Sequence, residues 1–578
     1  MNRLELRKDI GLSQAKMAKR LGKRTVAVSL DDFARIRQGG HFYVDKTRMI
    51  ADLLAFNPDG ISLFARPRRF GKSLNLSMLY HFFSNISDPS LFDGLEISKD
   101  RSLCERHQNH YPAILLSLKD VHGRNYESFI RLYGLSFSLA ASKFSYLLES
   151  EALTSREKDF VRRAIDNELA EEELCFSLRN FSRYLHRHHG VPVAIFVDEY
   201  DVPLEKASHQ DCYPVLLYFM QVLFSASFKS NEDMAFGVLT GCLRESKENL
   251  FTGFNNAMVY GLLDDGFASY FGFTREEVSL ALSQYGLSSR EEEVKRWYDG
   301  YRVGGYDLYC PYDICCLLQR SLTSENVVME SFWRNSSANE LVYDLLAHAS
   351  PSVQGDIDAL MAGKSIVKNV DLALSYRDLS LQDESVWGLL LATGYLTVRS
   401  KADHNVELVI PNLEVMDIFH SSVLKWVKND LVPEYAPSLS LVPSLLEGDK
   451  PGIEKALNTF LKETIGVHDY AQDKDQKEAF YHALTLGLLS APSQKRVIVK
   501  SNAELGEGYP DIYLYDMEAS TATLIEIKYA DGGDFKRAIE EGLAQIHGRH
   551  YEEGLPPLEK VHKVVLAFYK KRCVAAVE

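Results

Sequence analysis

The sequence predicts an α/β protein made of several folding units. In the amino-terminal half, short apolar runs alternate with amphipathic segments, and near the carboxyl end a second series of apolar runs is typical of a strand followed by a hairpin. Alternation of strands with helices favours a parallel sheet covered on both faces. A chain of 578 residues also exceeds what one hydrophobic core usually supports. We therefore expect several domains, with the boundaries 1–27, 28–271, 272–465 and 466–578.

The composition is that of a globular protein, because 46% of the residues are hydrophobic, 25% are charged and only 18 are Pro. The net charge of −15 argues against nucleic-acid binding through overall charge, although a local basic groove can still attract phosphate. No apolar run reaches the roughly 18 residues needed to span a bilayer, and the first residues lack a signal peptide. We therefore expect a cytoplasmic protein with no membrane partner. The eight Cys form no CxxC pair, which predicts reduced thiols rather than disulfides or a zinc site.

The first segment, residues 1–27, is predicted to be helical. Residues 12–22 have the pattern of the opening helix of a helix-turn-helix, and residues 25–36 would supply the second helix. An amphipathic surface helix would give the same apolar spacing. Both interpretations of this segment therefore stay open.

Apolar runs in the amino-terminal half predict the buried strands of one parallel sheet. They cover residues 61–65, 113–117, 193–197 and 235–239. Ligands bind beyond the carboxyl ends of such strands. The residues that directly follow each run are therefore the first candidates for a functional site.

The segment after the first run has the strand, loop and helix order of a phosphate-binding loop. At a helix amino terminus, free backbone N–H groups and a positive dipole end favour phosphate. Lys72 would reach the β- and γ-phosphates, and the Ser73 hydroxyl would ligate Mg²⁺. The standard pattern GxxxxGK[ST] requires Gly where this chain has Arg66, so the pattern alone does not match. The candidate nucleotide-binding residues of this loop are Arg69, Phe70, Gly71, Lys72 and Ser73.

The third run delivers acidic residues at its carboxyl end. Asp198 would hold the Mg²⁺ of a bound nucleotide, and Glu199 would polarise the attacking water. After the fourth run, Thr240 and Arg244 would lie beside the γ-phosphate. A polar turn with helix-capping acids is the alternative. The presence of both elements, each at a strand end, favours nucleotide binding.

Residues 272–465 are predicted to form a helix-rich connecting region. It carries aromatic clusters at 297–301 and 332–333 and no phosphate or metal signature. Large aromatic side chains dominate protein cores, so we expect these clusters to be buried.

A hairpin near the carboxyl end carries a candidate metal site. Residues 509–515 and 523–528 predict its two strands, after a helix over 479–489 and a strand over 496–500. Side chains repeat every second residue along a strand, so Glu526 and Lys528 share one face and the hairpin can bring Asp511 beside them.

These residues have the types that phosphodiester hydrolysis requires. Asp511 and Glu526 would ligate Mg²⁺ together with the Ile527 carbonyl, and Lys528 would orient water or stabilise charge on the phosphate. Glu478, on the preceding helix, is a further candidate metal ligand. An exposed hairpin with an ordinary Glu/Lys pair is the alternative.

Four stretches of the chain resemble the AAA-ATPase-like family of bacterial proteins. They are YVDKT at 43–47, RPRRFGKS at 66–73, DEYD at 198–201 and LTG at 239–241. In that family RPRRFGKS is itself the form of the phosphate-binding loop. Family members typically pair this domain with a carboxy-terminal PD-(D/E)XK nuclease domain. The resemblance therefore implies a P-loop NTPase-like domain that binds ATP, a helical connecting region and an α/β restriction-endonuclease-like domain.

The resemblance also bears on how the second site would engage substrate. Gln545 and Tyr551 resemble the family's Gln-bearing helix beside the site, which implies a substrate-binding role for both. The family often has a Gly-Arg pair before the metal-binding Asp, whereas here Gly508 is followed by Tyr509. The missing Arg puts phosphate binding in doubt without touching the metal ligands.

The expected function is ATP binding, with hydrolysis, coupled to Mg²⁺- or Mn²⁺-dependent cleavage of DNA under nucleotide control. An RNA substrate and a homo-oligomer stay open. The alternative is a nucleotide-switched module that binds DNA or protein and whose nuclease fold is catalytically silent. The intact set of Asp511, Glu526 and Lys528 favours the enzyme.

Overall fold

The computed structural model divides the chain into two compact units. The first comprises Met1–Glu330, Asn369–Ser380 and Ser385–Val398, and the second comprises Ser331–Lys368, Leu381–Glu384 and Arg399–Glu578. The residues that the structure describes are 22–243, 250, 257–324, 327–333, 342–343, 350–361, 363–370, 385–402, 405–426, 438–464, 474–489, 497–501, 508–516, 519–549, 551, 555, 558 and 560–578.

The elements of the described residues follow the chain in this order. The strands are β1 Ile61–Ala65, β2 Ala113–Ser117, β3 Val193–Asp198, β4 Met234–Gly241, β5 Ala257–Tyr260, β6 Tyr301–Val303, β7 Tyr306–Leu308, β8 Ile366–Asn369, β9 Thr397–Ala402, β10 Asn405–Val409, β11 Val497–Ser501, β12 Ile512–Asp516, β13 Thr521–Tyr529, β14 Lys560–Tyr569 and β15 Arg572–Val577. The α-helices are α1 Phe33–Gln38, α2 Arg48–Phe56, α3 Lys72–Phe83, α4 Arg101–His107, α5 Tyr126–Ala141, α6 Ser155–Ile165, α7 Glu171–Leu174, α8 Ser177–His189, α9 Val202–Ala207, α10 Tyr213–Phe228, α11 Arg275–Tyr285, α12 Glu291–Tyr298, α13 Pro311–Ser321, α14 Pro351–Met361, α15 Val386–Thr393, α16 Leu413–Trp426, α17 Ser438–Glu447, α18 Lys450–Thr464, α19 Lys474–Leu489 and α20 Phe535–Gly548.

The first unit is built on a parallel sheet with the order β2-β3-β4-β1-β5. All the residues of β1 and β3 are buried, as expected for strands covered on both faces. The predicted parallel strands are confirmed, and β5 is an additional edge strand that the sequence analysis missed. Because β4 lies between β1 and β3, the residues that follow these three strands meet at one edge of the sheet.

Arg66, at the end of β1, explains how the loop departs from the standard pattern. Its side chain is fully buried, and Nη1 donates hydrogen bonds to the carbonyls of Tyr260 and Gly261, both at 2.7 Å. Burial lowers the pKa of this guanidinium to about 10. Arg66 therefore ties β1 to the end of β5.

The predicted second helix of the amino-terminal segment is wrong over most of its length. Helix α1 begins at Phe33, with the Asp32 side chain accepting a hydrogen bond from the Arg35 amide. Thr25 instead accepts a backbone hydrogen bond from the Phe42 amide at 2.8 Å, which holds this part of the chain in a non-helical conformation. Residues 12–21 lie outside the described residues.

The region 272–465 is mainly helical in its described parts, but it also contains the hairpin β6–β7 and a three-stranded sheet of order β8-β10-β9. Of the aromatic residues predicted to be buried, Tyr298, Tyr301 and Trp333 have at most 3% of their surface exposed. Trp297 and Phe332 are only half-buried.

The second unit contains a five-stranded sheet with the order β11-β12-β13-β14-β15. The pairs β11–β12, β12–β13 and β14–β15 are antiparallel, whereas β13 and β14 are parallel and α20 connects them. The predicted strand and hairpin are confirmed. Among the helices that the structure describes, none is long and apolar enough to cross a membrane.

Candidate nucleotide and nuclease sites

The loop between β1 and α3 has the backbone of a phosphate-binding turn. Arg69 and Gly71 both adopt left-handed conformations, with φ of 70° and 79°. Helix α3 begins directly afterwards at Lys72. The first turn of a helix leaves N–H groups without intrahelical acceptors, so these amides are available to an anion.

A cavity of about 490 Å³ opens beside this loop. Glu199, at the end of β3, lines it together with the predicted loop residues. Apolar residues also line the cavity, among them Val26, Val28 and Phe42. A volume of this size accommodates a small organic ligand with a charged end and an apolar end. The predicted loop residues that line the cavity are Arg69, Phe70, Gly71, Lys72 and Ser73.

The ammonium group of Lys72 contacts the loop itself. Its Nζ donates to the carbonyls of Arg66 at 3.1 Å and Pro67 at 2.8 Å and lies 3.4 Å from Cys242 Sγ. The side chain is therefore held by carbonyl groups of the loop that it belongs to.

The acidic residues after β3 have distinct surroundings. The Thr240 hydroxyl donates a hydrogen bond of 2.5 Å to Asp198 Oδ1, and both residues are buried. Glu199 has a φ of 51°, and burial, followed by the charge of Asp198, raises its pKa. Asp201, to which the sequence analysis gave no role, accepts hydrogen bonds from the Cys242 and Leu243 amides and fixes the turn after β4. Arg244 lies outside the described residues.

Two contacts of the loop come from residues that sequence reasoning missed. Arg68 Nη2 donates to Glu205 Oε1 at 2.5 Å, and the Arg69 guanidinium lies 4.3 Å from the centre of the Tyr312 ring. Glu205 and Tyr312 belong to α9 and α13, far from the loop in sequence, so no local pattern could reveal them.

In the second unit the structure brings Asp511, Glu526 and Lys528 together. Ile512 pairs with Ile525 across the β12–β13 hairpin, which places Asp511 beside the carboxyl half of β13. The Ile527 amide donates a hydrogen bond of 2.7 Å to Asp511 Oδ2. Asp511 is thus fixed directly against the strand that carries the other two predicted residues.

Glu526 is the most buried carboxylate of this site. It has no exposed surface, and the Tyr551 hydroxyl donates to its Oε1 at 2.9 Å. Its other oxygen, Oε2, is buried without a hydrogen-bond partner and lies 3.5 Å from Lys528 Nζ. Burial, and then the nearby charge of Asp511, raises the pKa of Glu526 to about 8. A buried carboxylate oxygen without a donor fits a site built for a cation.

Glu478, on α19, contacts the Lys528 side of the site. Its Oε1 accepts a hydrogen bond from the Tyr529 amide at 3.0 Å, and its Oε2 lies 3.8 Å from Lys528 Nζ. Within the described part of the chain, no group of three or more His, Cys, Asp or Glu residues has a geometry that could hold a metal. A cation here would therefore depend on two carboxylates, completed by the predicted Ile527 carbonyl and water.

Tyr551 does not lie where a substrate contact would need it. Its side chain is 1% exposed and contacts Glu526, and the Gln545 side chain forms a hydrogen bond with the same hydroxyl. The buried Tyr551 hydroxyl therefore contacts Glu526, a predicted metal ligand, and not the substrate as predicted. Gln545 is half-buried and stays a predicted substrate contact.

Arg549 lies near Gly508 and Tyr509, at the position where the family often has a Gly-Arg pair. Tyr509 is 56% exposed, and a Cβ added to Gly508 would lie 3.3 Å from Arg549 Cδ. Arg549 follows α20 and is exposed. No local sequence pattern indicates Arg549, because it lies 40 residues after Tyr509, beyond the hairpin.

The fold and the two sites define a chain that combines a P-loop NTPase-like domain with a restriction-endonuclease-like domain. Residues 27–251 match the AAA-ATPase-like family model, described as a predicted AAA-ATPase, and residues 476–578 match a family of the PD-(D/E)XK nuclease superfamily. The chain therefore carries an AAA-ATPase-like domain followed by a PD-(D/E)XK nuclease superfamily domain, as its motifs predicted.

Individual proteins share only low sequence identity with this chain. A protein of Azotobacter chroococcum mcd 1, described as an uncharacterized protein in the vnfD 5′ region, is 25% identical over 487 residues, which cover 81% of this chain and 84% of the relative. A STAND ATPase with a tetratricopeptide repeat sensor from Pyrococcus horikoshii matches 78% of this chain at 11% identity and a TM-score of 0.23, and the match spans about half (53%) of that chain. The ORC2 protein of Aeropyrum pernix, solved as ADPNP-ADP complexes, matches 68% of this chain and 93% of its own length, with 11% identity and a TM-score of 0.25.

Proposed function

We propose that the carboxy-terminal site cleaves phosphodiester bonds of DNA with Mg²⁺ or Mn²⁺, and that the amino-terminal site binds and hydrolyses ATP to control this cleavage. The observation that carries the nuclease proposal is the buried Oε2 atom of Glu526, which has no hydrogen-bond partner and faces Lys528 beside Asp511. The Lys528 ammonium, 3.5 Å away, compensates this oxygen only through an ion pair, whereas a metal ion would contact it directly.

In this proposal Asp511 and Glu526 hold the cation together with the Ile527 carbonyl. When bound, the metal supplies charge for the phosphate oxygens and favours ionisation of water. Lys528, 3.5 Å from Glu526, places its ammonium group beside the scissile phosphate and orients the attacking water. The hydrogen bond from the Ile527 amide holds the Asp511 carboxylate in position.

At the amino-terminal site, the residues from Arg69 to Ser73 would hold the phosphates of ATP. Ser73 and Asp198 would hold Mg²⁺, and Glu199 would orient the attacking water. The support for this assignment is that the loop and Glu199 line one cavity, which apolar residues also line.

The test is a cleavage assay of the full chain on supercoiled, linear and single-stranded DNA and on RNA, with Mg²⁺ or Mn²⁺ and with or without ATP. We expect metal-dependent cleavage of DNA that changes with ATP and is lost in Asp511→Ala and Lys528→Ala proteins that fold normally. Unchanged cleavage by these variants would reject the site. Unchanged cleavage with and without ATP would reject nucleotide control.

A second candidate function is favoured by Tyr509, which is exposed where the family often has Arg. In that case the chain is a nucleotide-switched binding protein with a silent nuclease fold. The same assay separates the two functions, because a silent protein would retain DNA in a binding gel and cut nothing at any metal concentration.

A further inference from the structure

The hydroxyl of Tyr551 contacts both segments that carry the proposed metal ligands. It lies 2.9 Å from Glu526 Oε1 on β13 and 3.2 Å from the carbonyl oxygen of Tyr509, two residues before Asp511. The ring is buried in the cluster that includes Leu524 and Val565. Tyr551 therefore connects β13, which carries Glu526, to the segment that directly precedes Asp511.

The direction of these hydrogen bonds follows from what each group can donate. A phenol has one proton, and both the Glu526 carboxylate and the Tyr509 carbonyl are acceptors. The Gln545 side chain also forms a hydrogen bond with this hydroxyl and, as the partner with N–H groups, it donates to the phenol oxygen. The phenol proton is thus left for the two acceptors, of which the carboxylate is nearer.

The consequence for Glu526 is that its two oxygens have different surroundings. Oε1 is held by Tyr551, whereas Oε2 has no hydrogen-bond partner and is the oxygen nearest Lys528. A hydrogen bond to one oxygen restrains the plane of the carboxylate and therefore fixes the direction in which the other oxygen points.

We propose that Tyr551 is a positioning residue that fixes Glu526 through Oε1 and so presents Oε2 to the metal. The inference rests on the proposed function of this site. Tyr551 acts through Glu526 and contacts neither substrate nor metal. Groups that orient metal ligands in this way typically change metal affinity by about 10- to 100-fold when removed.

The experiment measures Mn²⁺ binding to the full-length protein by electron paramagnetic resonance, without DNA or nucleotide. The nuclease site is counted as the binding that Asp511→Ala removes. Tyr551→Phe keeps the buried ring and removes only the hydroxyl, so we expect the Kd for Mn²⁺ to rise about 10-fold. Tyr513→Phe is the matched control, because Tyr513 is a buried tyrosine of the same cluster, and its Kd should equal that of the wild type.

An unchanged Kd in Tyr551→Phe would overturn the inference. If that variant does not fold, Gln545→Met, which removes the donor to Tyr551, should raise the Kd in the same direction, and an unchanged value would count against the inference.

Failure of this inference can be told apart from failure of the proposed function. A wild-type protein that cuts DNA while Tyr551→Phe binds Mn²⁺ normally would reject only the role of Tyr551. A wild-type protein that binds Mn²⁺ through Asp511 but cuts no substrate would reject only the nuclease activity.

Discussion

The hydroxyl of Thr240 donates a hydrogen bond of 2.5 Å to Asp198 Oδ1, joining the carboxyl ends of β4 and β3 beside the nucleotide cavity. This hydrogen bond restrains the rotation of the Asp198 carboxylate and so fixes the direction in which Oδ2 points. We therefore expect Thr240 to orient Asp198, in addition to lying beside the γ-phosphate as predicted from the sequence.

Thr240→Val should therefore slow ATP hydrolysis about 10-fold, because removal of a group that orients a metal-binding carboxylate has effects of that size. ATP binding should change much less, since the loop from Arg69 to Ser73 is untouched. Turnover and equilibrium binding of a fluorescent ATP analogue provide the two measurements. Thr323→Val, at an exposed threonine, is the control, and a normal rate in Thr240→Val would contradict the role.

Lys72→Ala should abolish nucleotide binding, because Lys72 is the ammonium group of the phosphate loop. The fold should persist, since the hydrogen bonds of the side chain go to carbonyls of its own loop and to Cys242. Titration calorimetry with ATP and Mg²⁺ measures the loss. Lys99→Ala, at a lysine whose side chain is 71% exposed, should bind normally, and normal binding by Lys72→Ala would overturn the nucleotide assignment.

Stability of the metal-free protein should fall at high pH because of Glu526. Burial raises the pKa of this carboxyl from 4.5 to about 8 in the folded state, so the folded protein holds the proton more tightly than the unfolded chain. The stabilisation is complete below pH 4.5 and is lost as the pH rises through about 8. Thermal unfolding in EDTA should show a larger loss of stability between pH 6 and pH 9 for the wild type than for Glu526→Gln. Equal losses would show that Glu526 does not titrate in this way.

Arg549→Ala should weaken DNA binding and reduce the slope of log K against log salt by about one, as expected for one lost phosphate contact. Adding Tyr509→Arg to that variant should restore the slope, because it places a guanidinium on the neighbouring segment. Binding is measured by fluorescence anisotropy in Ca²⁺ over a range of salt. Arg537→Ala, at an exposed arginine on α20, is the control. An unchanged slope in Arg549→Ala would rule out the contact.

Arg66→Gly should destabilise the first unit even though it restores the standard loop pattern. The change leaves the carbonyls of Tyr260 and Gly261 without this donor, at a cost of ~3 kcal/mol. The midpoint of urea unfolding measures the effect. Arg66→Lys should be less destabilised, because it keeps a donor. An Arg66→Gly protein as stable as the wild type would show that these hydrogen bonds contribute little.

Strands β1 to β4 and β11 to β13 were predictable because each is a short apolar run next to turn residues, and burial imposes that pattern. Asp511 and Glu526 were predictable for the same reason, since a hairpin brings residues that are close in sequence to one place. The helix predicted from Thr25 failed because tertiary contacts with the Phe42 segment override a weak periodicity.

Other parts of the sites depend on contacts that no local pattern encodes. Arg66 finds its acceptors 194 and 195 residues away, and Tyr551 meets Glu526 from 25 residues further on. The acidic residues indicate the chemistry of the site from the sequence alone. The residues that orient them are identified only when the chain is folded.

The parallel pairing of β13 with β14 has a consequence for the order in which the carboxy-terminal site is assembled. Hairpin β11–β12–β13 can close from neighbouring residues, but a parallel partner requires the chain to cross over through α20 first. Asp511 and Glu526 can thus meet early, while Tyr551 and Arg549 arrive only with the crossover. A chain whose last strands have not yet paired would therefore hold Asp511 and Glu526 together without the tyrosine and the arginine that lie beside them in the folded protein.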